Sequence, residues 1–141
     1  AKKLGAVEAY DSSKGDHWIK DIRNATRGEG VDVLLEMSGA PTAIDEGFRA
    51  LRNGGRAALL GLPAKPVTFD FNANIIFKGC EVLGINGRRM WETWYQMEEL
   101  LLGKRLQLDD IITHEFPIEQ YEKAFDTMIS GEGIKVLMNL E

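Results

Sequence analysis

Two glycine-containing segments follow predicted strands and could bind a flat polar ligand through their main chain. Leu60-Gly61-Leu62 follows the apolar run 56–60, and Ile85-Asn86-Gly87 follows the apolar run 80–85. The carboxyl ends of neighbouring parallel strands lie at one edge of an open α/β sheet, where ligands bind. Because glycine has no side chain, a planar amide could approach the main-chain N–H and C=O groups there. The alternative interpretation is an ordinary strand–turn–helix connection, since glycine turns are common.

Side chains with catalytic or metal-binding chemistry are few and isolated. His17 begins a predicted helix and His114 lies in an extended segment, and neither has a second metal ligand at the spacing of a zinc site. The single cysteine, Cys80, lies in a predicted strand, so we expect an inert thiol. One cysteine also excludes an internal disulfide and is compatible with a reducing cytoplasm.

Two charged residues leave their roles open. Glu36 falls at the end of an apolar strand, where it could lie at the sheet rim or be paired. Lys135 lies on the polar face of the last strand, either as a solvated charge or as an anion contact. The residues by themselves therefore provide no catalytic group.

Hydrophobic spacing predicts an α/β fold. Strands that are apolar on both faces alternate with amphipathic helices, which is typical of a right-handed crossover series and a parallel sheet. The predicted strands are 6–10, 31–37, 56–60, 80–85 and 134–140. Two of the predicted helices are 14–27 and 90–102. Another is capped by Thr42 and ends at Asn53-Gly54-Gly55, and the last one carries the apolar stripe Ile118, Tyr121, Phe125, Met128 and Ile129. Residues 72–77 are compatible with a helical turn or a strand.

Composition excludes several classes of protein. The chain has 141 residues, 44% of them hydrophobic, enough for one domain or part of one. Its net charge of −5, without any basic run longer than two residues, argues against nucleic acid or acidic membrane surfaces as partners. No apolar stretch approaches the length of a membrane span, and no signal-peptide pattern is present. The first five residues resemble the last turn of a helix closed by Gly5, which suggests a piece of a longer protein.

Several motifs together resemble the zinc-dependent medium-chain alcohol dehydrogenase superfamily, over essentially the whole chain. They are Glu36-Met37-Ser38-Gly39-Ala40-Pro41, Leu59-Leu60-Gly61-Leu62, Phe77-Lys78-Gly79, Ile111-Ile112-Thr113-His114 and the residues from Ser130-Gly131 to Lys135-Val136. Gly84-Ile85-Asn86-Gly87-Arg88 and Trp91-Glu92-Thr93-Trp94-Tyr95 resemble the L-threonine 3-dehydrogenase group within it.

The resemblance implies part of a Rossmann fold, a doubly wound parallel sheet that lacks its first two strands, followed by a C-terminal helix–strand segment. Residues 1–108 are expected to belong to the NAD-binding domain, and residues 109–141 to return towards an absent catalytic domain. The strands at 6–10, 31–37, 56–61 and 80–85 would be the third to the sixth strand of the Rossmann sheet. The two missing strands would lie between the strand at 6–10 and the strand at 31–37. We therefore expect that isolated residues 1–141 do not form a stable monomer.

The resemblance also implies a cofactor site. Leu60, Gly61 and Leu62 match the segment that lines the nicotinamide half of NAD, and Ile85 and Asn86 match main-chain groups that hold its carboxamide. Asn86 departs from the threonine or tyrosine expected there, which affects side-chain contacts but not backbone binding. Lys135 matches a basic residue that approaches the pyrophosphate.

For the whole protein, the resemblance implies an NAD-dependent oxidoreductase that converts L-threonine to 2-amino-3-oxobutanoate. Zinc would polarise the alcohol oxygen, its ligands lying in the absent N-terminal domain, so this chain alone is expected to be inactive. A cytoplasmic homo-tetramer is implied, with subunits pairing around residues 75–83 and through the helix 91–102. The alternatives are a polyol or other secondary-alcohol dehydrogenase, and a non-catalytic nucleotide-binding or scaffold fragment.

Overall fold

The computed structural model describes residues 1–140, and the chain divides into two compact units, Ala1–Gly87 and the residues from Arg88 onwards. Its strands are β1 Val31–Glu36, β2 Leu51–Leu59, β3 Glu81–Gly84, β4 Ile112–Pro117 and β5 Lys135–Asn139, and its helices are α1 His17–Ala25, α2 Pro41–Ala50, α3 Glu92–Leu102 and α4 Tyr121–Ile129. The predicted α/β class is confirmed, while the expected boundary after residue 108 stays a prediction.

The first unit is built on a three-stranded parallel sheet in the order β1-β2-β3. The carboxyl ends of the three strands are in register, because Glu36 lies opposite Leu59 and Leu59 lies opposite Gly84. All three strands therefore end at the same edge of the sheet, as predicted for parallel strands joined by crossovers.

The core of this unit lies between the sheet and α2. Phe48 of α2 and Leu51 and Ala57 of β2 are fully buried, and Phe69 from the following loop packs on Phe48 with ring centroids 4.9 Å apart. Burial of a phenylalanine or leucine side chain stabilises a fold by roughly 1.5–3 kcal/mol, so these contacts anchor α2 to the sheet.

Helix α1 packs against α2 through polar contacts around a half-buried tryptophan. Trp18 Nε1 donates to Glu46 Oε2 at 3.1 Å, and Arg49 of α2 pairs with Asp16 at 2.7 Å. Before α1, Asp11 accepts the N–H of Ser13 and caps a short 3-10 turn, and the helix proper is shorter than the predicted 14–27.

The predicted strand at residues 6–10 is wrong. This segment follows a short 3-10 turn closed by Gly5, has no regular structure and is exposed, with Val7 90% accessible. A strand exists only through hydrogen bonds to a neighbouring strand, and no strand among the described residues lies beside this segment. Its apolar pattern therefore has no sheet to complete within residues 1–140.

The predicted limits of α2 are also wrong at both ends. Thr42 is not the cap, because Ala40 occupies that position and Pro41 takes the first helical position, where its missing N–H is harmless. At the other end, the helix stops at Ala50, and residues 53–55 lie within β2 instead of terminating the helix. The register between β1 and β2 shifts across this glycine-containing stretch, since Val31 lies opposite Leu51 and Val33 opposite Arg56.

A lysine distant in sequence caps the C-terminal end of α2, where Leu51 takes up an extended backbone. The Lys78 ammonium donates to the carbonyl of Phe48 and to that of Leu51 at 2.6 Å, with a longer contact of 3.4 Å to Arg49. The last carbonyls of a helix have no partner within it, and a cation there satisfies them and the negative end of the helix dipole. Desolvation by burial, reinforced by the charge of Arg23, lowers the pKa of Lys78.

Residues 72–77, for which the pattern left two interpretations, form a helical turn of the π type over Asn72–Ile76. None of the helices in residues 1–140 has the length and apolar character needed to cross a bilayer.

The second unit contains a two-stranded parallel sheet, β4 and β5, with α4 between them in the chain. Ala124 is the buried residue of α4, whereas the predicted apolar stripe is largely exposed, including Tyr121, Phe125 and Met128. Within this unit the small residue therefore packs, and the large apolar residues of the stripe remain accessible.

Candidate functional site

The two glycine-containing segments lie side by side at the carboxyl edge of the first sheet, and we call residues 60–62 together with 85 and 86 the strand-end site. The N–H of Ile85 donates to the carbonyl of Leu59 at 2.9 Å, which joins the end of β3 to the end of β2. Leu60 and Ile85 each leave roughly two-fifths of their surface exposed. The predicted juxtaposition is therefore present, while the role of these residues towards a cofactor stays a prediction.

The main chain of 60–62 is already engaged by β1. The N–H groups of Leu60 and Gly61 both donate to the Glu36 carbonyl, at 2.9 and 3.2 Å. These donors are therefore not free for a ligand, contrary to the expectation that they form part of a binding shelf. What this segment offers instead is an apolar surface, formed by Leu60 and by Leu62, which is 89% exposed.

Glu36 lies at the rim of the sheet, with only 4% of its surface exposed. Its Oε1 accepts the Ser38 N–H at 2.8 Å, the Ser38 hydroxyl at 2.6 Å and the Gly39 N–H at 2.9 Å. Burial, the largest single influence, raises the pKa of the Glu36 carboxyl, but the hydrogen bonds from Ser38 and Gly39 together outweigh it and hold the pKa below its ordinary value. The side chain is therefore an ionised anchor for the turn that follows β1.

This turn contacts the 60–62 segment with no room for side chains. A Cβ on Gly61 would overlap the Gly39 amide nitrogen, and a Cβ on Gly39 would lie 2.6 to 2.8 Å from the backbone of Leu62. At the end of β3 the situation is reversed, because nothing lies within 4 Å of a Cβ placed on Gly84 or Gly87. The backbone at these two glycines is therefore open on the side where a Cβ would project.

Lys135, the sixth predicted site residue, lies in the second unit. It is the first residue of β5 and is exposed, and its carbonyl accepts the Thr113 hydroxyl at 3.4 Å. The structure therefore places it on a different compact unit from the other five.

The isolated histidines and the cysteine do not form a site with other ligands. His17 begins α1 as predicted, His114 Nδ1 lies 3.0 Å from Thr113 Oγ1, and Cys80 is a half-buried free thiol. Within residues 1–140, no cluster of three or more His, Cys, Asp or Glu side chains is arranged to hold a metal. The described residues therefore do not fit a zinc ion.

Sequence reasoning missed Ser38, Gly39 and Lys78. For the first two a local signal exists, because Glu36-Met37-Ser38-Gly39 places N–H and hydroxyl donors two and three residues after a carboxylate, the spacing of side-chain–backbone turns. Lys78 acts on residues about thirty positions earlier, and no local pattern indicates such a contact.

The family described as zinc-binding dehydrogenase matches residues 1–103. The chain is 45% identical to L-threonine 3-dehydrogenase of Bacillus velezensis over 138 residues and 45% identical to that of Pyrococcus horikoshii over 142 residues. These alignments cover 98% and 100% of this chain and 40% of each relative, so the chain spans about two-fifths of their length.

Solved structures show the same fold. An alcohol dehydrogenase from Thermotoga maritima superposes with a TM-score of 0.83 at 28% identity, covering 98% of this chain and 39% of that one. A 2R,3R-butanediol dehydrogenase from Bacillus subtilis gives a TM-score of 0.85 at 25% identity, covering 99% of this chain and 40% of the other.

Proposed function

We propose, since this chain belongs to the zinc-binding dehydrogenase family, that it is the NAD-binding part of an L-threonine 3-dehydrogenase. The complete enzyme oxidises the secondary alcohol of L-threonine to the ketone of 2-amino-3-oxobutanoate, with the hydride passing to NAD and a proton to solvent. The observation that carries the proposal is the 45% identity, over nearly the whole chain, to relatives of that name.

The part of this chain is to bind and orient the cofactor. NAD, when bound, supplies the hydride acceptor. Leu60 and Leu62 provide an apolar surface for the nicotinamide ring, and Gly61 allows the segment to lie against the turn that follows β1. The Ile85 N–H is already bonded to Leu59, so the remaining main-chain groups of Ile85 and Asn86 receive the carboxamide. We further propose that Lys135 contacts the pyrophosphate of NAD in the complete enzyme.

Zinc belongs to the proposed enzyme through its family, but we assign no zinc ligand to residues 1–140. In dehydrogenases of this chemistry a zinc ion lowers the pKa of a bound alcohol. Such an ion would be held by side chains outside the described residues.

A wider secondary-alcohol specificity is the second candidate, because the butanediol dehydrogenase has the same fold at 25% identity. The two candidates separate in one experiment on the natural full-length protein, by which we mean the whole product of the gene that contains this sequence. NADH formation is measured with L-threonine, 2R,3R-butanediol and sorbitol. We expect kcat/KM to be highest for L-threonine. Oxidation of either diol or polyol in preference to L-threonine contradicts the proposal.

The assembly we propose is a cytoplasmic homo-tetramer in which β3 contributes one subunit contact. In the order β1-β2-β3, β3 is an edge strand, and its Val82 and Leu83 are partly exposed. Ile85 donates towards β2, and main-chain groups alternate in direction along a strand, so the Val82 N–H points to the open edge. Val82→Pro, which removes that N–H, is expected to lower the mass measured by light scattering, whereas Val82→Thr is not. A tetramer that survives Val82→Pro unchanged contradicts the assignment of this edge.

A further inference from the structure

Glu36 is a buried carboxylate that no catalytic step requires, and its hydrogen bonds all go to one turn. Oε1 accepts from the Ser38 N–H and hydroxyl, and both oxygens accept from the Gly39 N–H, at 2.9 and 3.1 Å. Hydrogen bonds to a charged group are stronger than those between neutral groups, so the carboxylate holds this turn firmly.

The Ser38-Gly39 turn packs against the strand-end site and fixes its position. Glu36 Oε2 would lie 2.6 Å from a Cβ on Gly61, and Gly39 packs on the backbone of Leu62. The Glu36 main-chain carbonyl also accepts the N–H groups of residues 60 and 61. Glu36 therefore holds the 60–62 segment in two ways. Its backbone carbonyl binds the segment directly, and its side chain holds the turn that packs against the segment.

We propose that Glu36 is a positioning residue for the nicotinamide: its carboxylate keeps the Ser38-Gly39 turn against residues 60–62 and so sets where Leu60 and Leu62 meet the ring. The inference rests on the proposed function, since it names what orders the site that binds the cofactor. Ser38 shares the role, because its hydroxyl both donates to Glu36 and accepts the Ala40 N–H at 3.1 Å.

The test compares two ligands of the natural full-length protein, NAD and ADP-ribose, which is NAD without its nicotinamide. Glu36→Gln keeps the size of the side chain but replaces one acceptor oxygen by an N–H₂ group that faces other donors. We expect it to raise the dissociation constant of NAD about tenfold, which corresponds to the loss of one charged hydrogen bond. The dissociation constant of ADP-ribose should stay within about twofold of the wild-type value, since the proposal places residues 60–62 against the nicotinamide and not against that part.

Ser38→Ala is the milder second variant, because it leaves both backbone donors to Glu36 in place. It should raise the NAD constant about threefold, again without effect on ADP-ribose. Phe48→Leu is the structural control, since it loosens the core of the same unit but leaves the hydrogen-bond partners of the Glu36 carboxylate in place. It should lower the thermal unfolding temperature while leaving the ratio of the two constants unchanged.

The outcomes are distinguishable. A selective loss of NAD affinity in Glu36→Gln and Ser38→Ala supports the inference. Equal weakening of NAD and ADP-ribose, or the same ratio change in Phe48→Leu, shows a merely structural role and overturns it. Wild-type affinity for NAD in both variants overturns the inference and leaves the proposed function intact. A wild-type protein that binds neither ligand overturns both.

Discussion

Gly61 packs directly on Gly39, and a single added carbon on Gly61 would overlap the Gly39 amide nitrogen and lie 2.6 Å from Glu36 Oε2. The Gly39 nitrogen belongs to the backbone and the Glu36 carboxylate is fixed by its hydrogen bonds, so neither can move away easily. Gly61→Ala is therefore expected to lower the free energy of unfolding by about 1–3 kcal/mol, the usual cost of overpacking. Urea denaturation of the natural full-length protein measures this change.

Gly84→Ala is the matched control for that substitution. Nothing lies within 4 Å of a Cβ at Gly84, so the same added carbon should change stability by less than about 0.5 kcal/mol. If Gly61→Ala is as stable as Gly84→Ala, the close contact between the two turns does not exist in solution.

Lys78→Met tests the cap of α2. The methionine keeps the aliphatic stem but leaves the carbonyls of Phe48 and Leu51 without their donor. We expect a loss of about 1–3 kcal/mol in the free energy of unfolding, the cost of an unsatisfied buried acceptor. Lys65→Met, at an exposed lysine of the same unit, provides the comparison, and an equal effect of the two would contradict the capping role.

The ionised state of Glu36 predicts a pH dependence of stability. Its pKa is lower in the folded protein than in the unfolded chain, so its contribution is complete above the unfolded value of about 4.3. That contribution is lost as the pH falls through the lower, folded pKa. Asp16, whose pKa is lowered by its hydrogen bond and ion pair with Arg49, acts in the same direction.

Denaturation of the wild type and of Glu36→Gln at a series of pH values isolates the Glu36 contribution. The wild type should be the more stable at neutral pH, and the difference should shrink as the pH falls below about 4. A difference that is constant over the whole range would contradict an ionised, hydrogen-bonded Glu36.

The sequence pattern predicts those parts of the fold that depend on local spacing. Strands β1 and β3, the presence of α1 and the meeting of residues 60–62 with 85–86 follow from apolar runs and glycine turns, which are short-range features. The strand predicted at 6–10 fails because hydrogen bonds to a neighbouring strand, and not apolar alternation alone, make a strand. The cap of α2 escapes prediction because it is provided by Lys78, which lies far along the chain.

The candidate site divides in the same way. Its location follows from the rule that ligands bind at the carboxyl edge of parallel strands. That the N–H groups of Leu60 and Gly61 are occupied by Glu36 could not be derived, because it depends on the register of β2 against β1.

Isolated residues 1–141 are expected to lack a stable monomeric fold. Val33 and Leu35 of β1 are at least half exposed, and the buried apolar side chains of residues 1–140 are few. Small cores of this kind rarely outweigh the loss of chain entropy on folding. Cooperative unfolding of the isolated chain as a monomer, with a midpoint independent of protein concentration, would contradict this expectation.

The position of the nicotinamide tests the central claim most directly, and a crystal structure of the natural full-length protein with NAD measures it. We predict the carboxamide within hydrogen-bonding distance of the main chain at Ile85 or Asn86, and the ring in van der Waals contact with Leu60 or Leu62. A nicotinamide bound elsewhere, without contact to either segment, would contradict the account.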